Sequence, residues 1–499
     1  MTPDQLQDQR NLDAKFAGGL AWTAGAKWAT QALTLGSVFV VARLLTPADY
    51  GVGGVAGIFF GITNVLAEFG VGTAVLHMPD LDRRTLGLLH LFSLLLCTGI
   101  FAGFVLLAPA VAWFFRSNHV LFFAVTGLGF LVTGIQAVPS GLLLRDMDYR
   151  RLALLEALGS VVTAAVTVIT AWFGWGYWAL LAGPGIGKIV VATILCYWKR
   201  VPFAWPRWKD IRKPVEMGRH VAISRVAASA YNMSDGMVIQ RTMGEAALGT
   251  YQMAMNLASA PAEKISSLIM RTATPLFANV MDDLPQARRY YLIIGELLSL
   301  SIIPMMLGLA IIAPQAVLVL GKQWGAAAGP LRWLGLFMIM RVLGTLAEQV
   351  LVSQRLTRFT MRMAILNFVV MPLAFIVAAR WKGASGVAAA WIALSPVTVV
   401  PLLIILMRAI KLPFREYAMS LVPALAGSAI MCLAVLGLNT RLPVSLPVAV
   451  RLAAQVSTGG VVYAAFIMCF FRQRVLRYVN FVSSFRKAKP LAEPVHPTA

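Results

Sequence analysis

Charge is scarce in this sequence. Only 13% of its residues are Asp, Glu, Lys or Arg, about half the share of a soluble domain, and acidic residues number 21 against 43 basic ones. A chain this poor in charge, 59% hydrophobic and with a mean hydropathy of +0.75, cannot dress a water-exposed surface and belongs in a bilayer. Cysteine is sparse too. Cys97, Cys196, Cys432 and Cys469 each stand alone in an apolar run without a C-x-x-C, so they read as packing residues rather than disulfide or metal partners. The five histidines are scattered and no H-E-x-x-H occurs, which argues against a metal site. There is no G-x-S-x-G and no Walker loop, and the two D-x-D matches, at 78–85 and 145–151, sit in short loops with no catalytic domain around them.

Long apolar runs are what the sequence has in quantity. A hydrocarbon core about 30 Å thick takes roughly 20 apolar residues per helix. The predicted class is therefore an all-α polytopic membrane protein with about fourteen spans: 16–44, 50–74, 86–114, 120–143, 152–173, 176–199, 216–240, 245–277, 290–319, 328–353, 363–380, 384–409, 415–437 and 447–471. The polar start MTPDQLQDQRNLDAK leads into the first span without an A-x-A-like cleavage site, so a retained anchor is expected.

Basic residues give the orientation, because cytoplasmic loops collect them. With the N-terminus inside, about 27 of the 43 fall in the tails and alternate loops on that side, and both termini are expected to be cytoplasmic. The net charge of +22 then reflects topology and attraction to anionic inner-leaflet lipid, not nucleic acid. The domains expected are an N-tail (1–15), an N-lobe of six helices (16–199), a basic interlobe linker (200–215), a C-lobe of six (216–409), two further helices (410–471) and a basic tail (472–499). An internal repeat supports the two lobes. Sliding the chain by 198 residues lays VFVVARLLTPADYG on GMVIQRTMGEAALG, pairing Val40 with Val238, Arg43 with Arg241, Ala48 with Ala246, Gly51 with Gly249, and Lys27 with Arg225. Such parallel repeats place the substrate site between halves, near mid-membrane. In LTPADYG, Thr46 is placed to cap a helix whose first residue is Pro47.

Ionisable groups at bilayer depth cost at least about 2.5–3.5 kcal/mol, so they face protein, a partner or water. On a helical wheel, Arg225, Asp235 and His220 share one half of span 216–240 with Ser224, Ser229, Tyr231 and Asn232, while apolar residues take the other. Lys27 and Arg225 thus present cation to cation, which is unfavourable unless an anion such as a phosphate or diphosphate visits. Arg225 paired with Asp235 as a structural bond is the alternative. Arg219 and His220 lie near the cytoplasmic end, as interfacial anchors or cavity mouth. Span 245–277 adds Glu263, Lys264 and Arg271; Asp235, Glu263 and Glu68 are the ion-coupling candidates. Lys188, Arg332 and Arg341 read as structural or interfacial. The glycines of GVGGVAG and GPGIGK suit close helix packing rather than phosphate cradling.

Taken in order, ARLLTPADYGVGG, AEFGVGTAVL, LLLRDMDYRRLALLE, WFGWGYWALLAGP, SDGMVIQRTMGEAALGTYQMAMNLASAPAEKI and LGKQW resemble the Wzx-like polysaccharide exporters of the multidrug/oligosaccharidyl-lipid/polysaccharide flippase superfamily, in the branch of colanic acid, amylovoran, succinoglycan and xanthan exporters. The resemblance implies a flippase of the bacterial inner membrane. Its substrate would be an undecaprenyl-diphosphate-linked oligosaccharide, turned from the cytoplasmic to the periplasmic leaflet by two lobes around a cationic cavity. It further implies membrane lipids and polysaccharide polymerase or export machinery as partners, no cofactor, and H+ or Na+ coupling. The rivals are a multidrug or metabolite antiporter on the same scaffold, for which an acidic cavity is expected, and a membrane polymerase or ligase, for which a large outward loop is expected.

Overall fold

The computed structural model describes residues 36–67, 83–146, 148–201, 232–280, 283–354, 356–443 and 445–474, with Thr30, Leu33, Thr34 and Val75 besides. Among them the regular structure is helical. We number the helices α1 (Gly36–Leu44), α2 (Pro47–Ala67), α3 (Arg83–Phe115), α4 (Val120–Arg145), α5 (Tyr149–Trp172), α6 (Ala179–Trp198), α7 (Ser234–Met243), α8 (Glu245–Asn279), α9 (Leu284–Leu320), α10 (Ala328–Ser353), α11 (Thr357–Ala393), α12 (Val400–Ala409), α13 (Phe414–Arg441) and α14 (Val448–Phe470).

Each of the fourteen expected spans overlaps a helix. Nine of the described helices, or ten with the bent pair α1–α2, are long and apolar enough to cross a membrane. Much of spans 16–44 and 216–240 lies outside the described residues, and two physical reasons lower the count further. α11 is broken at Lys382 and Gly383, the latter at φ +60°, and the one apolar stretch Phe359–Ala409 holds both spans expected at 363–380 and 384–409. α8 is long, at 35 residues, but too polar, since it carries Glu263, Lys264 and Arg271. Leu106, Trp113 and Trp172 stand more than two-thirds exposed on α3 and α5, as side chains facing acyl chains or headgroups do.

The chain forms two compact units, residues 1–253 with 368–387 and residues 254–367 with 388–499. In the first, α5 lies along α6. A Cβ at Gly183 would come 1.8 Å from Thr167 Oγ1, and one at Gly187 2.2 Å from Thr163 Oγ1. Gly183 and Gly187 of GPGIGK therefore serve close helix packing, as expected, whereas a Cβ on Gly185 would meet nothing within 4 Å. Gly187→Leu is expected to separate α5 from α6 and lower the yield of folded protein in detergent at least severalfold, read by size-exclusion chromatography; an unchanged yield would refute the contact's importance. Where α3 meets α4, Ser93 Oγ donates to Gly134 O at 3.2 Å and fully buried Cys97 fills the space beside it.

α2 starts as its residues require. Pro47 takes the first helical position, Asp49 N donates to Thr46 Oγ1 at 3.2 Å, and Thr46 N donates back to Asp49 Oδ2 at 2.9 Å, a reciprocal capping box. The first turns of α2 and α8 cross at backbone contact. A Cβ on Gly51 would lie 1.9 Å from Glu245 O, and one on Gly249 1.7 Å from Pro47 O. Pro47 and Glu245 occupy the same repeat position, as do Gly51 and Gly249, so each residue meets its partner's counterpart, the signature of a two-fold relation.

In the second unit α9 packs on α10, α13 and α14. The turn after α9 needs Gly321, at φ +149°, and buries Trp324 of LGKQW completely. Gln455 Nε2 and Gln315 Nε2 both donate to Asn439 Oδ1, at 2.9 and 3.3 Å, and Tyr463 Oη donates to Leu300 O at 2.7 Å, which ties α14 and α13 to α9.

Candidate functional site

Among the candidate residues, Asp235 is fully described. α7 presents it in its first turn, 4% exposed. Its Oδ1 accepts from Gly236 N at 2.7 Å and its Oδ2 from Tyr251 Oη of α8 at 2.5 Å. Gly236 faces α2, where a Cβ would lie 2.9 Å from the movable end of Ile58, its Cδ1. One turn on, Gln240 is also buried and its Nε2 donates to Phe115 O at 3.3 Å, while its Oε1 has no partner among the described residues. The site is thus a carboxylate removed from solvent, held by a phenol and a peptide N–H, with an amide oxygen on the same helix that is unsatisfied among the described residues. A carboxylate so placed can exchange its phenol partner for a proton or a cation.

Gly244, at φ +84°, turns the chain from α7 into α8. The carboxylate of Glu245 then accepts from Ser117 Oγ at 2.6 Å and lies 3.7 Å from His119 Nε2, an ion pair when the imidazole is protonated. His119 packs on Tyr177, whose N–H donates to Asp49 Oδ1 at 3.0 Å. The start of α2 and the turns after α3 and α7 are therefore clasped together at one end of the first unit. Nothing in the local sequence singles out Glu245, because its partners lie more than a hundred residues away.

Glu263 and Lys264 are both exposed on α8, and among the described residues neither side chain has a hydrogen bond or ion pair. Arg271 lies further along α8, its side chain outside the described ones. Lys27, Glu68, Arg219, His220 and Arg225 lie outside the described residues. Two charged groups carry more structure than the sequence suggests. Lys188 Nζ sits 4.1 Å over the ring of Phe60 of α2, an aromatic partner for a mid-span cation. Glu296, 6% exposed in α9, accepts from Arg474 Nη1 at 3.2 Å; the lone carboxylate in YLIIGELLSLS is the signal that marks it.

A family profile described as polysaccharide biosynthesis protein matches residues 40–329, more than half of the chain. The chain belongs to this family. This polysaccharide biosynthesis family member is 20% identical over 437 residues to the lipopolysaccharide biosynthesis protein WzxC of Escherichia coli, covering 82% of this chain and 85% of that one. It is 25% identical over 327 residues to the succinoglycan biosynthesis transport protein ExoT of Rhizobium meliloti, covering 62% and 63%. Among solved structures, the lipid II flippase MurJ in an inward closed conformation superposes with a TM-score of 0.74 at 13% identity, over 91% of this chain and all of that one. An inward-facing multidrug resistance transporter of the MATE family follows at 0.60 and 17%, over 77% and 96%. The family member thus has the membrane fold that these transporters share.

Proposed function

We propose that this protein is a flippase that moves undecaprenyl-diphosphate-linked oligosaccharide repeat units from the cytoplasmic to the periplasmic leaflet for exopolysaccharide biosynthesis. Membership of the polysaccharide biosynthesis family carries this reading, and the lipid-flippase fold of MurJ supports it. Two six-helix lobes, 16–199 and 216–409, alternate access around a cationic chamber, with both termini in the cytoplasm of a bacterial cell. Lys27 and Arg225 attract the diphosphate, and Arg219, His220, Lys264 and Arg271 extend the path. The undecaprenyl tail remains in lipid. No covalent step is needed. The membrane potential favours outward movement of an anion by about 2.3 kcal/mol per charge per 100 mV.

The crossing of Gly51 and Gly249 supports the two-fold repeat and gives alternating access a contact that has to part. In the proposed topology the turn before α2 faces the periplasm, so the crossing and the Glu245 clasp close that side. Ion coupling falls to Asp235, whose burial and Tyr251 partner suit a group that trades a hydrogen bond for a cation, whereas the exposed Glu263 lacks such a partner. Asp235→Asn is therefore expected to slow export about tenfold and to make it insensitive to the pH or sodium gradient in reconstituted vesicles, with Glu263→Gln much milder. Gradient dependence preserved in Asp235→Asn would remove that assignment.

The function itself is tested by deleting the gene. Lipid-linked repeat units should accumulate in the inner leaflet and polymer should vanish from the cell surface, both restored by the intact gene. Normal polymer together with sensitivity to cationic drugs would instead install the antiporter reading that the MATE-like fold permits.

A further inference from the structure

We propose that the cleft bounded by α9, α13 and the residues just past α14 binds the headgroup of an anionic membrane phospholipid. The cleft encloses about 860 Å³, within the roughly 300–1,000 Å³ usual for ligand pockets. Three arginines line it, Arg288 and Arg289 from the start of α9 and Arg474 beyond α14, against two carboxylates, Glu296 and Glu416. Arg288 Nε donates to Glu416 Oε2 at 3.1 Å and Arg474 Nη1 to Glu296 Oε1 at 3.2 Å. Arg289 is exposed, and among the described residues it pairs with no carboxylate. With both acids answered, one guanidinium remains over, and its planar fork matches a phosphodiester.

The rest of the lining says which kind of phosphate. Leu292, Ile293 and half-exposed Met419 continue the wall past the charged residues, a polar mouth leading to an apolar flank, as an amphipathic lipid requires. α9 and α13 are long apolar helices whose first residues, with Arg474 just past α14, form the mouth, so it sits at headgroup depth. Both helices aim their N-terminal ends there, and the positive ends of their dipoles add to the potential. By the topology proposed above, this is the cytoplasmic leaflet, but the inference needs only that the mouth lie at a membrane surface. The chain's own tail does not suit the cleft. Residues 475–499 carry Arg477, Arg486, Lys487 and Lys489 against the single acid Glu493, the same sign as the unpaired guanidinium. Buried Glu296 serves here as a positioning residue that holds Arg474 at the cleft wall.

Native mass spectrometry of the purified full chain, with phosphatidylglycerol or phosphatidylcholine added, tests the site. Wild type should retain phosphatidylglycerol in preference to phosphatidylcholine. Arg289→Gln, which leaves every ion pair intact, should weaken that retention about fivefold, and Arg288→Gln with Arg289→Gln by more. Arg474→Gln alone strands the Glu296 carboxylate and risks misfolding, so the pair is neutralised together as Glu296→Gln with Arg474→Gln, with the same weakening expected. Equal retention of the two lipids, or retention unchanged in Arg288→Gln/Arg289→Gln, overturns the proposal. Displacement of the lipid by millimolar inorganic phosphate or pyrophosphate would reassign the cleft to a free anion and overturn it as well.

Discussion

Gly249→Ala abolishes polymer export, or cuts it at least tenfold, while Gly57→Ala does not: this is the expected result of adding one methyl group at two glycines. At Gly249 the new Cβ would stand 1.7 Å from the carbonyl oxygen of Pro47, and the obstacle is backbone, which no rotamer change can move. The first turns of α2 and α8 must then separate. Overpacking of a tight contact costs about 1–3 kcal/mol where side chains can yield, and here they cannot. At Gly57, on the same α2, the added Cβ meets nothing within 4 Å, and alanine in a helix interior is favoured over glycine by roughly 0.5–1 kcal/mol. Gly51→Ala should repeat the Gly249→Ala phenotype, because its Cβ would stand 1.9 Å from Glu245 O. Export and membrane abundance are measured together: loss of export at normal abundance assigns the crossing to the transport cycle, loss of both assigns it to folding, and normal export in Gly249→Ala rejects the crossing altogether.

Charge reversal at the proposed headgroup ligands should be as severe. Lys27→Glu and Arg225→Glu each replace an attraction for a diphosphate with a repulsion. At about 4 Å and an effective dielectric near 20, each unit charge is worth on the order of 4 kcal/mol, so binding should fall by more than a hundredfold in either variant. Protein should still reach the membrane, as scored by immunoblot of the membrane fraction, and lipid-linked repeat units should build up inside the cell. Lys27→Arg and Arg225→Lys keep the sign and should retain substantial export. Unimpaired export from either glutamate variant would dismiss that residue as a ligand.

Much of the architecture could be read along the chain. The fourteen apolar runs each overlap a helix because hydropathy is a local property: a segment that must satisfy its backbone inside lipid becomes a helix whatever its neighbours do. The cap at Thr46 and the start at Pro47 were equally local, set within four residues. The repeat offset also named Gly51 and Gly249 as counterparts, although nothing in those letters says that the two touch. Site residues were less accessible. Asp235 reads on a wheel as part of a polar face, yet its side chain is buried against Tyr251, sixteen positions away, since a wheel reports direction and not what lies opposite. Glu296 is answered by an arginine 178 residues later, and Glu245 by Ser117 and His119, pairings that no spacing rule reaches.

By itself, then, the sequence determined that this protein lives in a membrane, that its apolar runs become helices, and that several of its glycines mark close helix packing. Those properties follow from transfer free energy and backbone hydrogen bonding summed over neighbouring residues. Tertiary structure alone decided that Gly51 and Gly249 cross reciprocally, that Asp235 is withdrawn from water, and that three arginines converge on one cleft. Such facts depend on how distant helices are brought side by side, and contact energies between them are not encoded in any one stretch of chain.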